Sequence, residues 1–235
     1  MKPKDTEYKA PRSVSTPTGG LLMEMFERLQ LYFGSLNWWP ADTELEVMVG
    51  AVLTQNTNWN NVKKAIDNLK KRKILSLDGL LSVSMEDLAR EIRPAGYYNI
   101  KSARLKNLVN YLGENFQGDL SLVSNKGTET LREELLSVKG IGPETADSIL
   151  LYAFGRPVFV VDAYTHRILN RHCIFEEETS YHELQDFFQS HLPEEVPLYN
   201  EFHALIVMAG KNFCRKTPIC DKCPLENWGP ASPSR

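Results

Sequence analysis

Leu135–Asp162 reads LLSVKGIGPETADSILLYAFGRPVFVVD, and the rest of the chain is interpreted outward from it. The stretch begins with the end of a helix. It turns through Gly140-Ile141-Gly142, and Pro143 opens a second helix. Proline suits the first helical position, because the N–H it lacks would be unpaired there anyway. Behind it Ala146, Ile149, Leu150 and Ala153 recur at helical spacing and make one apolar face. The glycines let successive backbone N–H groups point outward with no Cβ in the way, which suits a phosphate oxygen. The apolar run Val158–Val161 then ends at Asp162, where another helix starts.

A Gly-x-Gly turn between packed helices is common and alone says little. The turn, the apolar run and an Asp at this distance form a specific combination. Together they resemble the helix-hairpin-helix family of DNA base-excision glycosylases, which includes endonuclease III. The resemblance implies that Gly140, Ile141 and Gly142 grip the backbone of double-stranded DNA, and that Asp162 serves chemistry at the sugar.

The chain has 235 residues, 42% hydrophobic and 24% charged. That suffices for one large or two small packed domains. No apolar run approaches membrane-spanning length, and the start MKPKDTEYKAPR lacks the apolar core of a signal peptide. A soluble cytoplasmic monomer with no membrane partner is expected. The net charge of −3 argues against a general polyanion binder. DNA contact then falls to local basic patches and backbone N–H groups. Candidates are Lys63/Lys64, Lys70–Lys73 and Lys211/Arg215/Lys216/Lys222. The first two read more simply as solvated helix faces.

Residues 1–20 are rich in Lys, Pro, Ser, Thr and Gly and are expected to be a disordered tail. Helical spacing starts at Leu21. Trp38-Trp39-Pro40 reads as an extended or turn segment, since the residue before proline avoids the helical region. Thr43-x-x-Glu46 reads as a capping box opening a helix over Glu44–Leu53. Polar Gln55–Asn58 and Trp59 follow. Further helices are expected over Asn60–Lys70, twice within 74–92 (the second capped at Ser84), and over Lys101–Phe116. Others cover 129–138, Asp162 to about Arg171, Tyr181–Ser190 and Asn200–Phe213. Val158–Val161 is short and isolated, an extended link. The fold class is all-α, about ten helices with no repeat at fixed period. The resemblance implies two helical lobes with a DNA and active-site cleft between them. One is built from residues 21–38 and 156–213. The other, 39–155, is a six-helix barrel-like lobe carrying the hairpin at about 129–155. A cysteine loop and tail, 214–235, completes the chain.

Cys214, Cys220 and Cys223 are crowded into one loop. Three thiolates so close are costly unless a metal neutralises them. The iron–sulfur branch of the glycosylase family carries a four-Cys loop here, which implies a [4Fe–4S] cluster on these three residues. The fourth Cys is expected near position 229, where this chain has Gly229. A non-Cys ligand (Asp221 or Glu226), a three-iron cluster and a site that no longer holds iron all remain open. Zinc on three Cys and one other ligand is the alternative. Cys173 reads as a small buried residue.

Glycosylases flip the target nucleotide into a pocket, because the glycosidic bond is unreachable inside the stack. Breaking that bond builds positive charge on the sugar. A carboxylate there stabilises the charge and orients or deprotonates the attacking water. Asp162 is the candidate, and Asp is also a good helix N-cap. In lyase-competent family members the position two residues after the second hairpin glycine is a lysine that forms a Schiff base. Here it is Glu144, which cannot form that imine. A monofunctional glycosylase follows. Glu144 also suits the first turn of a helix by its charge alone.

Trp38-Trp39-Pro40, the run Leu53–Trp59, Arg93-Pro94-x-Gly96-Tyr97-Tyr98-Asn99-x-Lys101 and Lys139–Asp147 together resemble the 3-methyladenine DNA glycosylase III type. The likeness covers roughly residues 36–210. It implies a pocket of Trp38, Trp39, Pro40, Trp59 and Glu144, with Lys211 near it, in which aromatic rings sandwich an alkylated purine. It also implies that Gln55 enters the duplex where the flipped base was. N3-methyladenine is cationic in DNA, and indole faces attract cations. A cationic base is an activated leaving group, so one carboxylate suffices. The other readings are an endonuclease III-like glycosylase for another lesion and a non-catalytic DNA-binding hairpin. A mere binder needs neither Asp162 nor the tryptophans.

Overall fold

Most helix starts in this chain follow one local rule, in which a short polar side chain accepts the orphan N–H three residues on. Thr16 accepts from Gly19, Thr43 from Glu46, Asn58 from Asn61, Ser76 from Gly79, Ser84 from Asp87, Asp162 from Thr165 and Ser180 from Glu183. The computed structural model describes residues 16–36, 38–39, 41–117 and 119–229. Among them are eleven α-helices and no strand. In chain order they are α1 (Pro17–Phe33), α2 (Glu44–Thr54), α3 (Trp59–Lys71), α4 (Leu77–Ser82), α5 (Met85–Glu91), α6 (Tyr98–Phe116), α7 (Thr128–Ser137), α8 (Pro143–Ser148), α9 (Ala163–Arg171), α10 (Tyr181–Gln189) and α11 (Val196–Asn212). The all-α expectation holds.

Some local expectations need correction. α1 starts at Pro17, so residues 17–20 are helix and not tail. Thr16 caps it, Pro17 fills its first position, and Gly19 is buried. Residues 1–15 lie outside the described residues. The capping box at Thr43 is only half formed, because Glu46 reaches back to the Asp42 N–H (3.2 Å) instead of its own cap. α11 begins at Val196, earlier than expected. Leu120–Asn125 forms an unpredicted 3-10 turn. Cys173 is exposed in a left-handed turn (φ 57°), where a small buried residue was expected.

The chain divides into two compact units, Trp39–Arg156 and the remainder, Met1–Trp38 with Pro157–Arg235. In the first, α2 is the central helix, with every residue from Leu45 to Leu53 buried. α3, α6 and α8 pack on it. Full burial of a Leu or Val side chain there contributes about 1.5–3 kcal/mol. The α8 axis widens into a π turn over Ile149–Ala153.

In the second unit, α11 packs on both α1 and α9. Its core is aromatic. Phe159 stacks on Phe188 (4.0 Å between centroids, 6° between planes), and both meet Phe202 edge-on. The buried run Val158–Val161 is extended without a strand partner. Side chains replace the partner: Gln189 accepts from the Phe159 N–H (2.8 Å), and Gln185 donates to the Phe159 carbonyl (2.7 Å). A buried peptide group left unpaired would cost about 1–3 kcal/mol. These two glutamines therefore fix the segment that delivers Asp162.

Candidate active site

Asp162 caps α9. One carboxylate oxygen, Oδ1, accepts from the Thr165 N–H (2.8 Å) and the Thr165 hydroxyl (2.9 Å). The other, Oδ2, lies 3.7 Å from Nε2 of His203 on α11. The Asp162 side chain is 10% exposed. Burial pushes its acidity constant up. The hydrogen bond and charge of His203, then the Thr165 donors, outweigh that and hold the carboxyl below the usual carboxylate range. The cap uses one oxygen, so the capping and chemical roles are compatible. Lys211 stands exposed in the last turn of α11, and Trp38 is half-buried.

In the unit carrying the hairpin, Trp39 adopts a left-handed backbone (φ 73°) and stacks on Tyr152 (4.8 Å, 27°). Its ring also meets Trp59 edge-on (5.3 Å, 68°). Gly50 of α2 lies beneath them. A Cβ there would stand 3.4 Å from Trp39 and 3.5 Å from Trp59, so a larger residue would push both rings. The buried Trp39 Nε1 finds no hydrogen-bond partner among the described residues. Such an orphan donor costs about 1–3 kcal/mol, which marks this cluster as more than packing. The structure thus joins two of the expected tryptophans and adds Tyr152. Trp38 falls in the other unit, and Pro40 lies outside the described residues. The expected sandwich is not preformed. A base between two faces needs them about 7 Å apart, whereas here the rings touch one another.

The hairpin joins α7 to α8. Gly140 has φ 99°, and a Cβ there would strike Cγ of Arg104 at 2.4 Å. The expectation of outward N–H groups holds only in part, because the Ile141 N–H turns inward to the Val138 carbonyl (3.0 Å). The Ile141 side chain is 5% exposed, so it anchors the turn in the core. Gly142 is exposed, as is Glu144 in the first turn of α8. Gln55, at the end of α2, lies folded against the hairpin. Its Nε2 donates to the Gly140 carbonyl (3.2 Å) and to the Thr145 hydroxyl (2.9 Å), and its Oε1 accepts from Arg104. Buried Asp147 forms a two-pronged ion pair with Arg132 (2.6 and 3.0 Å), which ties α8 to α7.

Cys214, Cys220 and Cys223 line one cavity of 590 Å³ with His172, Glu226 and Gly229. Burial pushes the Cys223 thiol up, and the neighbouring Cys214, Cys220 and Glu226 push it further. Among the described residues, however, no group of three or more His, Cys, Asp or Glu side chains is gathered tightly enough to hold a metal ion. The expected ligands Cys214, Cys220 and Cys223 share a cavity without forming a single-ion site. The loop is held by protein contacts. Arg167 donates to the Cys214 carbonyl (2.7 Å), Arg171 to the Arg215 carbonyl (2.6 Å), Trp228 to the Leu21 carbonyl (3.0 Å) and Arg28 to the Glu226 carbonyl (3.0 Å).

Sequence spacing gave no sign of His203, Tyr152 or Arg104. Each reaches its partner only through tertiary packing.

Comparison with known proteins is consistent with these features. The profile described as "HhH-GPD superfamily base excision DNA repair protein" matches residues 49–194. The protein named "Putative DNA repair glycosylase MJ1434" of Methanocaldococcus jannaschii is 46% identical over 209 residues, which are 88% of this chain and 95% of that protein. Endonuclease III of Thermotoga maritima is 30% identical over 77% of this chain and 80% of its own. The crystal structure of an H. pylori 3-methyladenine DNA glycosylase bound to 1,N6-ethenoadenine superposes with a TM-score of 0.73 at 32% identity, covering 87% of this chain and all of that one (100%). The chain therefore belongs to the HhH-GPD superfamily of base-excision DNA repair proteins, and it is a DNA glycosylase.

Proposed function

We propose that this glycosylase is monofunctional and releases cationic alkylated purines of the 3-methyladenine type from duplex DNA. The observation that carries the reading is the aromatic cluster of Trp39, Trp59 and Tyr152 over Gly50, whose buried Trp39 indole N–H has no partner among the described residues. Desolvated indole faces attract a cation by about 2 kcal/mol. Trp39 swings off Tyr152 to admit the base. The likeness to a 3-methyladenine glycosylase at 32% identity supports the same substrate class.

In this reading Asp162 acts as a carboxylate. Water attacks the anomeric carbon, its proton passes to Asp162, and the C–N bond breaks with its electron pair going to the base. The cationic base leaves neutral and needs no acid. Asp162 also stabilises the positive charge that develops on the sugar. Glu144 offers a carboxylate where a lyase needs an amine, so the product is an intact abasic strand. Gly140 and Gly142 hold the backbone, and Gln55 unfolds from the hairpin to fill the gap left by the flipped nucleotide. The protein acts as a cytoplasmic monomer.

Cys214, Cys220 and Cys223 would hold an iron–sulfur cluster of the [4Fe–4S] type, with Asp221 or Glu226 as the non-cysteine ligand. The shared cavity supports this, and a polynuclear core accommodates thiolates set further apart than one ion does. The group orders the loop and takes no part in base release. Iron and acid-labile sulfide assays on anaerobically purified protein test it. An absence of both refutes it.

The functional test is to incubate the protein with dimethyl-sulfate-treated genomic DNA and identify the freed bases by chromatography. 3-Methyladenine is expected. Turnover confined to parallel uracil or oxidised-pyrimidine duplexes would overturn the substrate.

A further inference from the structure

We propose that Arg104 is a ligand for the DNA phosphate at the hairpin, and that in the free protein Gln55 holds the guanidinium that this phosphate takes. The proposal rests on the assignment of Gln55 to the duplex gap.

Arg104 lies along the inside of the turn. A Cβ on Gly140 would meet its Cγ at 2.4 Å, its Cδ at 3.0 Å and its Nε at 3.2 Å. Only glycine leaves room for that stem, so the turn and the arginine are built together. The guanidinium has five donors in a fixed fork, and Gln55 Oε1, an uncharged acceptor, takes one of them. Among the described residues no carboxylate forms an ion pair with Arg104, whereas Arg132 on the other side of the hairpin is clamped by Asp147. A second cation stands nearby. The Lys101 ammonium is 1% exposed and donates to the Leu53 and Ala95 carbonyls (2.8 and 2.7 Å). Burial and the charge of Arg104 lower it to about 8. The Arg104 guanidinium thus lies along the glycine turn with no ion-pair partner among the described residues, which is the chemistry that accepts a phosphate diester.

Gln55 is bonded through both ends of its amide, to Arg104 on one side and to Gly140 and Thr145 on the other. It cannot enter a duplex while those bonds stand. A phosphate that takes Arg104 removes one of them. Gripping the backbone thereby loosens Gln55, leaving only its bonds to Gly140 and Thr145 to break before it enters the duplex.

The test is equilibrium binding of the full chain to an undamaged fluorescent duplex at several salt concentrations. Loss of one phosphate contact reduces the slope of log K against log salt by about 0.9. Arg104→Gln is expected to show that reduction and Arg104→Lys to keep the wild-type slope. A purely structural arginine would lower the melting temperature and leave the slope alone. An unchanged slope in folded Arg104→Gln therefore overturns the proposal. Competition adds a second arm. Gln55→Ala frees the guanidinium and should tighten binding to undamaged duplex roughly tenfold, the worth of a modest hydrogen bond to a charged group. Weaker or equal binding refutes the competition. Neither arm uses a lesion, so a wrong substrate assignment would show in base release and not here.

Discussion

Asp162→Asn is the most informative substitution, because it separates two roles that one side chain fills. Asparagine is as good an N-cap as aspartate. Its amide oxygen can still accept from the Thr165 N–H, the contact now 2.8 Å long. The helix start is therefore preserved. What is lost is the negative charge 3.7 Å from His203 and the ability to take a proton from water. A general base contributes about 10²- to 10⁴-fold, so single-turnover base release should fall by at least roughly a hundredfold. Duplex binding, which we assign to the hairpin, should change little. The assay is quenched-flow release from a methylated duplex, with melting and fluorescence anisotropy as controls. The pH profile sharpens it. Asp162 is held below its ordinary value in the fold, so wild-type activity persists into acid and falls only as pH drops through that lowered value. The stability linked to the same ionisation is complete above the unfolded carboxyl value and is lost over that acid window. Release retained within tenfold of wild type would remove Asp162 from the chemistry.

Other expectations follow from the same geometry. Trp59→Ala removes the ring that meets Trp39 edge-on. It should slow excision of cationic bases about thirtyfold, from a cation–π loss of about 2 kcal/mol, while affinity for undamaged duplex stays near wild type. Equal losses in both would contradict a base-holding role. Glu144→Lys places an amine at an exposed first-turn position. Borohydride should then trap a covalent DNA adduct that wild type does not form, and trapping with wild type would refute the monofunctional reading. His203→Gln removes the group that most strongly lowers Asp162. The acid limb of the rate profile should move to higher pH, and an unmoved limb would show that the pair does not govern titration.

Local chemistry was legible in the sequence wherever one short segment decides it. Proline at the head of α8, glycines in the turn and Asp162 as a cap all act over three or four residues. The start of α1 was misread because Gly19 and Gly20 lower helix propensity. The Thr16 cap, Pro17 and burial against the core outweigh that cost. The candidate site was only half legible. Trp39 and Trp59 stand out by type, but Tyr152 looks like any residue on an apolar helix, and its π turn has no simple sequence signature. His203 and Asp162 lie on different helices, and so do Gln55 and Arg104. No periodicity encodes such pairs. The cysteine loop shows the opposite case, in which conspicuous spacing implied a metal centre while arginine and tryptophan hydrogen bonds do the visible holding.

The central claim is that this glycosylase selects a cationic purine. It is tested most directly by single-turnover release from two otherwise identical duplexes, one carrying a single 3-methyladenine and the other a single uracil opposite guanine. The account predicts rapid loss of 3-methyladenine above its spontaneous rate and little release of uracil. Faster release of uracil would contradict it.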